Sequence, residues 1–449
     1  MFRFLHQPDR ALRPFLILWS TQTFSALGSA MTGYALLIWS YRALGSALGT
    51  AMLAVCTYAP YVALSIFAGA LSDRWDPKKT MLVGDTLAAL CTVGIGVLYL
   101  TGNLRIWHLY GLNFLLGLFN TVQQPASDVA VTLLTPKSHV QRVCGLRSLG
   151  NAAVTLLTPA AASALLAFAG LPAVLWFDLG TFAMAFLALL LRVRIPQRGP
   201  AEGAQAREPL SEATRAGLRY LRGNPGVLHL ILFLALINLI ASMYNAALPA
   251  MLLSRQNGGD FALGAVNTVT GLATVLGGIL TTLLPAPKSR VRLILNALLF
   301  SMSFENFLLA FGRSPIVWCV AAVLGWIAIP AMGANMDALL RLRIPVTMQG
   351  RVYAARNTLQ FFTIPVGNLL GGLLVDRVFE PLMAAQANDG LLPLLFGTGK
   401  GSGAAALYAC LGVLGVLSCL PFRRDAALWA LETPPQPAPD AAPAQADPA

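Results

Sequence analysis

The stretch DVAVTLLTPKSHVQRVCGLR at residues 128–147 returns, in outline, as DALLRLRIPVTMQGRVYAAR at residues 337–356. Asp128, Pro136, Arg142, Val143 and Arg147 meet Asp337, Pro345, Arg351, Val352 and Arg356 at a constant offset of 209. A weaker echo at the same offset pairs Gly69 with Gly278, Leu71 with Leu280 and Lys79 with Lys288. Self-similarity at one fixed period means a duplicated unit, here two related halves of about two hundred residues. In a chain this apolar, such a duplication points to helices disposed about a pseudo-symmetry axis in a membrane.

Apolar residues make up 56% of the chain and charged residues 11%, against about 45–50% and about 25% in soluble domains. A soluble fold of this size would have too little charge to cover itself. Residues 15–39, 81–100, 171–191, 227–253, 293–311 and 404–422 are each long and apolar enough for a hydrocarbon core, which takes about 20 helical residues. Between them lie six more candidate spans, at 47–71, 106–126, 145–169, 262–284, 316–338 and 357–375. The expectation is an all-α integral membrane protein with twelve transmembrane helices in two pseudo-symmetric six-helix halves, residues 1–191 and 227–424.

Lys and Arg gather in short cytoplasmic loops. With both termini placed inside, 25 of the 31 basic residues fall in cytoplasmic segments. Six remain outside: Arg42, Arg105, Arg255, Arg313, Arg377 and Lys400. The net charge of +12 therefore reads as a topology signal in a bacterial inner (plasma) membrane with cytoplasmic termini, and no basic soluble domain offers itself to nucleic acid. Residues 192–226, rich in Arg and Pro, are the expected linker between halves, with a weakly amphipathic part at 210–221 suited to the membrane surface. Residues 425–449 are assigned to a cytoplasmic tail, disordered beyond Glu432 because Pro, Ala, Gln and Asp bury too little apolar surface. The six cysteines show no metal-ligand spacing and read as free thiols.

At the end of span 2 the sequence reads Gly69-Ala70-Leu71-Ser72-Asp73-Arg74-Trp75-Asp76-Pro77-Lys78-Lys79. This resembles the loop 2/3 signature of the major facilitator superfamily, and the resemblance covers nearly the whole chain outside the tail. Asp178-Leu179-Gly180-Thr181-Phe182 and Asp376-Arg377-Val378-Phe379-Glu380-Pro381-Leu382-Met383 look like the branch that holds macrolide-efflux proteins and the enterobactin exporter. The resemblance implies a drug:proton antiporter type of transporter, exporting amphipathic small molecules such as a macrolide-like drug or a siderophore. It also implies that Gly69, Leu71, Asp73, Arg74, Lys78 and Lys79 form a gating motif, with Asp73 facing the start of span 11. A charge cluster is then expected from Asp85, Asp128, Arg142, Arg147, Asp337, Arg351 and Arg356. Asp73 with Arg351 or Arg356, and Asp128 with Arg142 or Arg147, would latch the cytoplasmic side in the outward-open form. The second half carries Thr282 where the first has Asp73, so the latch should be asymmetric.

An acid inside a span costs about 2.5–3.5 kcal/mol on insertion scales, which makes it a functional candidate. Asp178, two turns into span 6, and Glu305, in the middle of span 9, are the candidates for proton coupling. The family implies a cavity between spans 1, 2, 4, 5, 7, 8, 10 and 11, with spans 3, 6, 9 and 12 outside it. Gln22, Tyr34, Asn113, Asn120, Asn151, Asn238, Asn245 and Gln360 are the cavity candidates, in a lining that suits bulky amphipathic molecules better than sugars. Pro159 and Pro365 could bend spans 5 and 11, since proline removes a backbone hydrogen bond.

Gly397-Thr398-Gly399-Lys400-Gly401 imitates a phosphate loop but lacks the upstream glycine and the hydroxyl residue after Lys400, so a flexible loop is expected. No cofactor, metal or ATP-binding module is expected, and the partners are the small amphipathic substrate, protons and membrane lipid. An enzyme is disfavoured because His6, His108, His139 and His229 are scattered without paired acids. A lipid or lysolipid flippase on the same fold is the alternative function.

Overall fold

The computed structural model describes residues 12–72, 76–136, 139–196, 218–285, 287–387 and 390–432, with the side chains of 65–72, 140–142, 346–351, 353–355, 357–359 and 361 left out. Among the described residues the regular elements are helical. Three N-terminal helices, α1 (Arg13–Leu44), α2 (Ala47–Ser72) and α3 (Pro77–Leu100), are followed by α4 (Ile106–Leu134) and α5 (Val140–Leu191). The second half comprises α6 (Pro225–Ser254), α7 (Asp260–Leu283), α8 (Arg290–Phe311), α9 (Pro315–Trp326), α10 (Ile329–Arg343) and α11 (Val346–Leu374). Short helices α12 (Glu380–Ala384) and α13 (Leu391–Phe396) lead to α14 (Ser402–Arg423) and α15 (Ala426–Trp429).

Two glycines turn the chain where a side chain would be strained. α5 has 52 residues, about 78 Å if straight, far more than a bilayer's thickness. Gly170, at φ 73°, divides it into two legs where the sequence places the boundary between spans 5 and 6. Gly45, at φ 59°, ends α1 by donating its N–H to the Tyr41 carbonyl, which leaves only a tight turn before α2.

Nine segments among the described residues are long and apolar enough to cross a membrane, one of them being the two-legged 143–191 stretch. The twelve expected spans are not all recovered on that criterion. α1 and α4 fall short because Ser, Thr, Asn and Gln dilute their apolar character, and Gln22, Thr23, Asn120, Gln123, Gln124 and Ser127 among them line a cavity.

Packing repeats between the halves. α1 lies on the first leg of α5, α2 on α4, and α3 on the second leg of α5; correspondingly α6 lies on α11, α7 on α9–α10, and α8 on α14. The two sets meet chiefly through α2 against α11 and α5 against α7. Small residues set these approaches, as in membrane helix pairs generally. A Cβ on Gly372 of α11 would lie 2.6 Å from the Leu48 Cα, and one on Gly271 of α7 would lie 3.1 Å from the Leu156 Cα. Gly372→Leu is therefore expected to push α2 from α11 and, as overpacking by about 1–3 kcal/mol, to lower the melting temperature of the purified chain by several degrees; an unchanged melting temperature would mean that the backbones are not in contact there.

Two expectations are corrected. The tail does not begin at 425: Asp425 caps α15 by accepting from the Ala427 and Leu428 amides, Leu428 and Leu431 are buried, and Glu432 accepts from the Val291 amide at 2.7 Å. Apolar Leu residues and a helix cap hold this segment, and residues 433–449 lie outside those described. The glycine loop at 397–401 is a defined turn, with Gly397, Gly399 and Gly401 at positive φ and the Gly401 N–H donating to Glu380.

Candidate functional site

The duplicated motif folds into two equivalent ion pairs. Arg147 reaches Asp128 at 2.5 Å and Arg356 reaches Asp337 at 3.2 Å, each across the loop between neighbouring helices. The spacing of 19 residues places both partners at the same end of adjacent helices, so each pair braces its own half rather than latching one half to the other. These pairs are partly exposed, and such pairs contribute at most about 1 kcal/mol. Asp73 and Arg74 lie outside the described residues, and nothing is described of the side chains of Gly69, Leu71, Arg142 and Arg351. Of the gating motif, Lys78 donates to the carbonyls of Leu190 at 3.0 Å and Val193 at 2.7 Å, capping the end of α5, while Lys79 is exposed. Asp76 caps α3 through the Lys78 and Lys79 amides. Asp85 departs from the expected charge cluster. It is buried in α3 and accepts from the side-chain amides of Gln22, at 3.1 Å, and Gln123, because its depth in the helix turns it toward α1 and α4.

Behind each ion pair is a cavity, and the two are related by the repeat. The first, about 220 Å³, is lined by Asn120, Gln123, Ser127, Arg147 and Asn151; the second, about 360 Å³, has Ile329, Met332, Met336, Arg356 and Gln360 at the positions 209 residues on. Gln22 lines the first cavity and Asn238 the second. Three of the five matched positions change chemistry, Asn120, Gln123 and Ser127 giving way to Ile329, Met332 and Met336, while Arg147 and Arg356 are alike and Asn151 and Gln360 are both amides. Among the described residues, each of these two cavities is lined from within one half.

Glu305 lies on the wall of the second cavity. The Trp326 indole donates to Oε1 at 2.9 Å, and Tyr244 lines the same cavity. Gly325 makes room for it: a Cβ there would sit 2.2 Å from Oε2. An acid on span 9 was expected to stand outside the cavity, and the gap at Gly325 is what admits it. At the matching position the first half has Gly96. Asp178 is also buried but lines neither of these two cavities. Ser29 donates to Oδ1 at 3.0 Å, and Thr32 and Thr92 donate to Oδ2 at 3.0 and 3.2 Å. These contacts join α1, α3 and the second leg of α5.

The remaining candidates separate into packing groups. Tyr34 accepts from Asn267 at 3.3 Å across the halves, and Asn113 accepts from Thr57 at 3.2 Å between α4 and α2. Asn238 donates to the Gln360 carbonyl at 2.8 Å and to Thr363 at 2.9 Å. Asn245 is exposed.

Sequence reading assigned no role to a cross-half clasp at the end where α1 meets α2. Asp376, in the single turn of π-helix at Val375–Phe379, accepts from the Ala47 amide at 3.0 Å, the Leu48 amide at 2.9 Å and the Ser46 hydroxyl at 2.5 Å. An aspartate of one half therefore caps a helix N-terminus of the other, where backbone N–H groups and the helix dipole favour an anion. Arg42 pairs with Asp260, and the Tyr41 hydroxyl bonds the Ala250 carbonyl and Ser254 at the same end. Only the quoted motif around Asp376 signalled this residue; its partner could not be read from spacing.

Known proteins place this architecture. The family model described as Major Facilitator Superfamily matches residues 18–368. Macrolide efflux protein A of Streptococcus pyogenes is 24% identical over 368 residues, covering 81% of this chain and 90% of that protein. Multidrug efflux pump Tap of Mycolicibacterium fortuitum is 24% identical over 349 residues, covering 74% and 82%. Among solved structures, the nucleoside transporter NupG superposes with a TM-score of 0.66 at 14% identity, over 91% of this chain and 98% of that one. A bacterial homologue of the iron transporter ferroportin, in an inward-facing state, gives 0.66 at 14% identity over 93% and 100%. With its repeated packing, its helical membrane architecture and a family match over most of its length, this chain belongs to the Major Facilitator Superfamily and is a multi-pass membrane transporter, not an enzyme.

Proposed function

We propose that this chain exports amphipathic small molecules by alternating access and draws on the proton gradient to do so. The observation that carries the reading is the 360 Å³ cavity of the second half, whose apolar wall holds one buried carboxyl, Glu305, among a few amides. Such a lining takes an apolar body and discriminates by a small number of polar contacts. Relatives named for macrolide and multidrug efflux support the direction of transport. On the sidedness given by the basic residues, both termini face the cytoplasm, and residues 1–191 and 227–424 are the two moving bodies joined by the 192–226 linker. The clasp at Asp376 then closes the outer side, which makes the present form the one closed to the exterior. In the opposite form, loop 2/3 is assigned the latch, with Asp73 meeting the start of α11.

The test is accumulation of a panel of amphipathic drugs and siderophores in efflux-deficient bacteria expressing the chain, with and without a protonophore. Export predicts lowered accumulation that returns to the control level when the gradient collapses. No change for any compound would sink the reading as a drug or siderophore exporter.

A further inference from the structure

We propose that the second-half cavity is a binding site for compact primary or secondary organic ammonium ions, held by Glu305 and Asn306 together. This deepens the export reading and rests on it for the ligand's passage across the membrane, while binding itself is measured separately. Both residues line the cavity and are almost fully buried, at 3% and 1% exposure. Among the described residues, Glu305 accepts a hydrogen bond from the neutral Trp326 indole and pairs with no Lys or Arg. Among the described residues the guanidinium on the cavity wall is that of Arg356, and it is engaged by Asp337 and Gln360. Asn306 uses its Nδ2 on the Met302 carbonyl at 2.8 Å, and its Oδ1 is buried with no hydrogen-bond partner.

A buried carboxylate without a counter-charge and a buried acceptor without a donor are both unfavourable, and both want N–H groups. An ammonium carrying two or more N–H bonds can serve the two acceptors at once and supplies the missing positive charge. A quaternary ammonium brings the charge but no donor, and an alcohol brings a donor but no charge. The cavity's volume is near the lower end of small-molecule sites, about 300–1,000 Å³, which limits the ligand's body to a compact apolar group. The equivalent cavity of the first half has Gly96 in place of the acid, so the preference belongs to the second half alone.

The experiment is equilibrium binding to the purified full-length chain in detergent. The probes are 2-(1-naphthyl)ethylammonium, its N,N,N-trimethyl analogue and 2-(1-naphthyl)ethanol. The primary ammonium should bind saturably at one site, with the other two at least about tenfold weaker, as expected for losing a charge-assisted hydrogen bond. Glu305→Gln, which preserves size and the acceptor for Trp326, should weaken the primary ammonium by at least about tenfold. Asn306→Leu should weaken it severalfold without lowering the melting temperature, since it removes an unsatisfied acceptor. Equal affinity for the three probes in the wild-type chain, or no saturable binding, overturns the proposal without reliance on any variant. Equal affinity of wild type and a folded Glu305→Gln chain also overturns it. Export in cells that persists while binding fails would sink this site and leave the export reading standing; binding without export of any compound would do the reverse.

Discussion

Glu305→Gln is expected to abolish gradient-driven export while leaving the protein folded and in the membrane. Glutamine fills the same volume beside Gly325 and still accepts from the Trp326 indole, so the cavity wall survives. It cannot take up or release a proton, and an exporter that exchanges substrate against protons at this carboxyl loses its coupling. Uphill efflux should fall more than about tenfold, whereas exchange of an uncharged substrate, whose binding does not call on the Glu305 charge, should continue down its own gradient. The measurement is transport into inside-out vesicles with and without an imposed pH gradient. If the variant still responds to the gradient, Glu305 is not the proton carrier. Asp178→Asn becomes the next variant, although three hydroxyl donors to its carboxyl suit a packing role as well as a coupling one.

Asp376→Ala is expected to release the clasp between halves. Three donors converge on this carboxylate from the first turn of α2 and the residue before it, and hydrogen bonds to a charged group contribute about 1.5–3 kcal/mol. Loss of that stabilisation in one conformer alone shifts a two-state equilibrium by about ten- to a hundredfold. Arg42→Ala, which removes only the exposed pair with Asp260 (the Arg42 side chain is 59% exposed), should shift it little, because solvent screens such contacts to about 0–1 kcal/mol. Spin labels at Gly102 and Asn257, in a background without native cysteines, report the separation of the two halves at this end. Asp376→Ala should populate a longer distance and Arg42→Ala should not. Identical distributions for wild type and Asp376→Ala would show that the carboxylate does not hold the halves together.

Local chemistry explains which parts were legible in advance. The offset of 209 anticipated the equivalence of Arg147 with Arg356, because a duplicated segment keeps its internal spacing and each ion pair closes over its own loop. The apolar runs at 145–169 and 171–191 marked two spans, since a membrane limits helix length, whereas the role of Gly170 between them, at φ 73°, came from the structure. Glu305 stood out as an acid in an apolar run, where insertion is costly. The same reasoning misplaced Asp85, whose partners Gln22 and Gln123 come from two other helices. It also began the tail at 425, although the eight residues 425–432 are held to the bundle: Asp425 bonds His229 and Glu432 accepts from the Val291 amide, nearly two hundred and more than a hundred residues away, and Leu428 is buried.

Hydropathy, charge bias and the internal repeat are properties of consecutive residues, and from them come the helices, their order and the duplication. What lies between helices depends on rotation and approach, which no single segment encodes. Only the folded chain shows that equivalent positions such as Gln123 and Met332 wall two separate cavities, and that Gly325 opens space for Glu305. Likewise only the folded chain sets Asp376 on the first turn of a helix 328 residues earlier. The physical reason is one of range: burial preference acts on each residue where it stands, while a cavity or a cross-half cap exists only after side chains from distant segments have packed to within hydrogen-bonding distance.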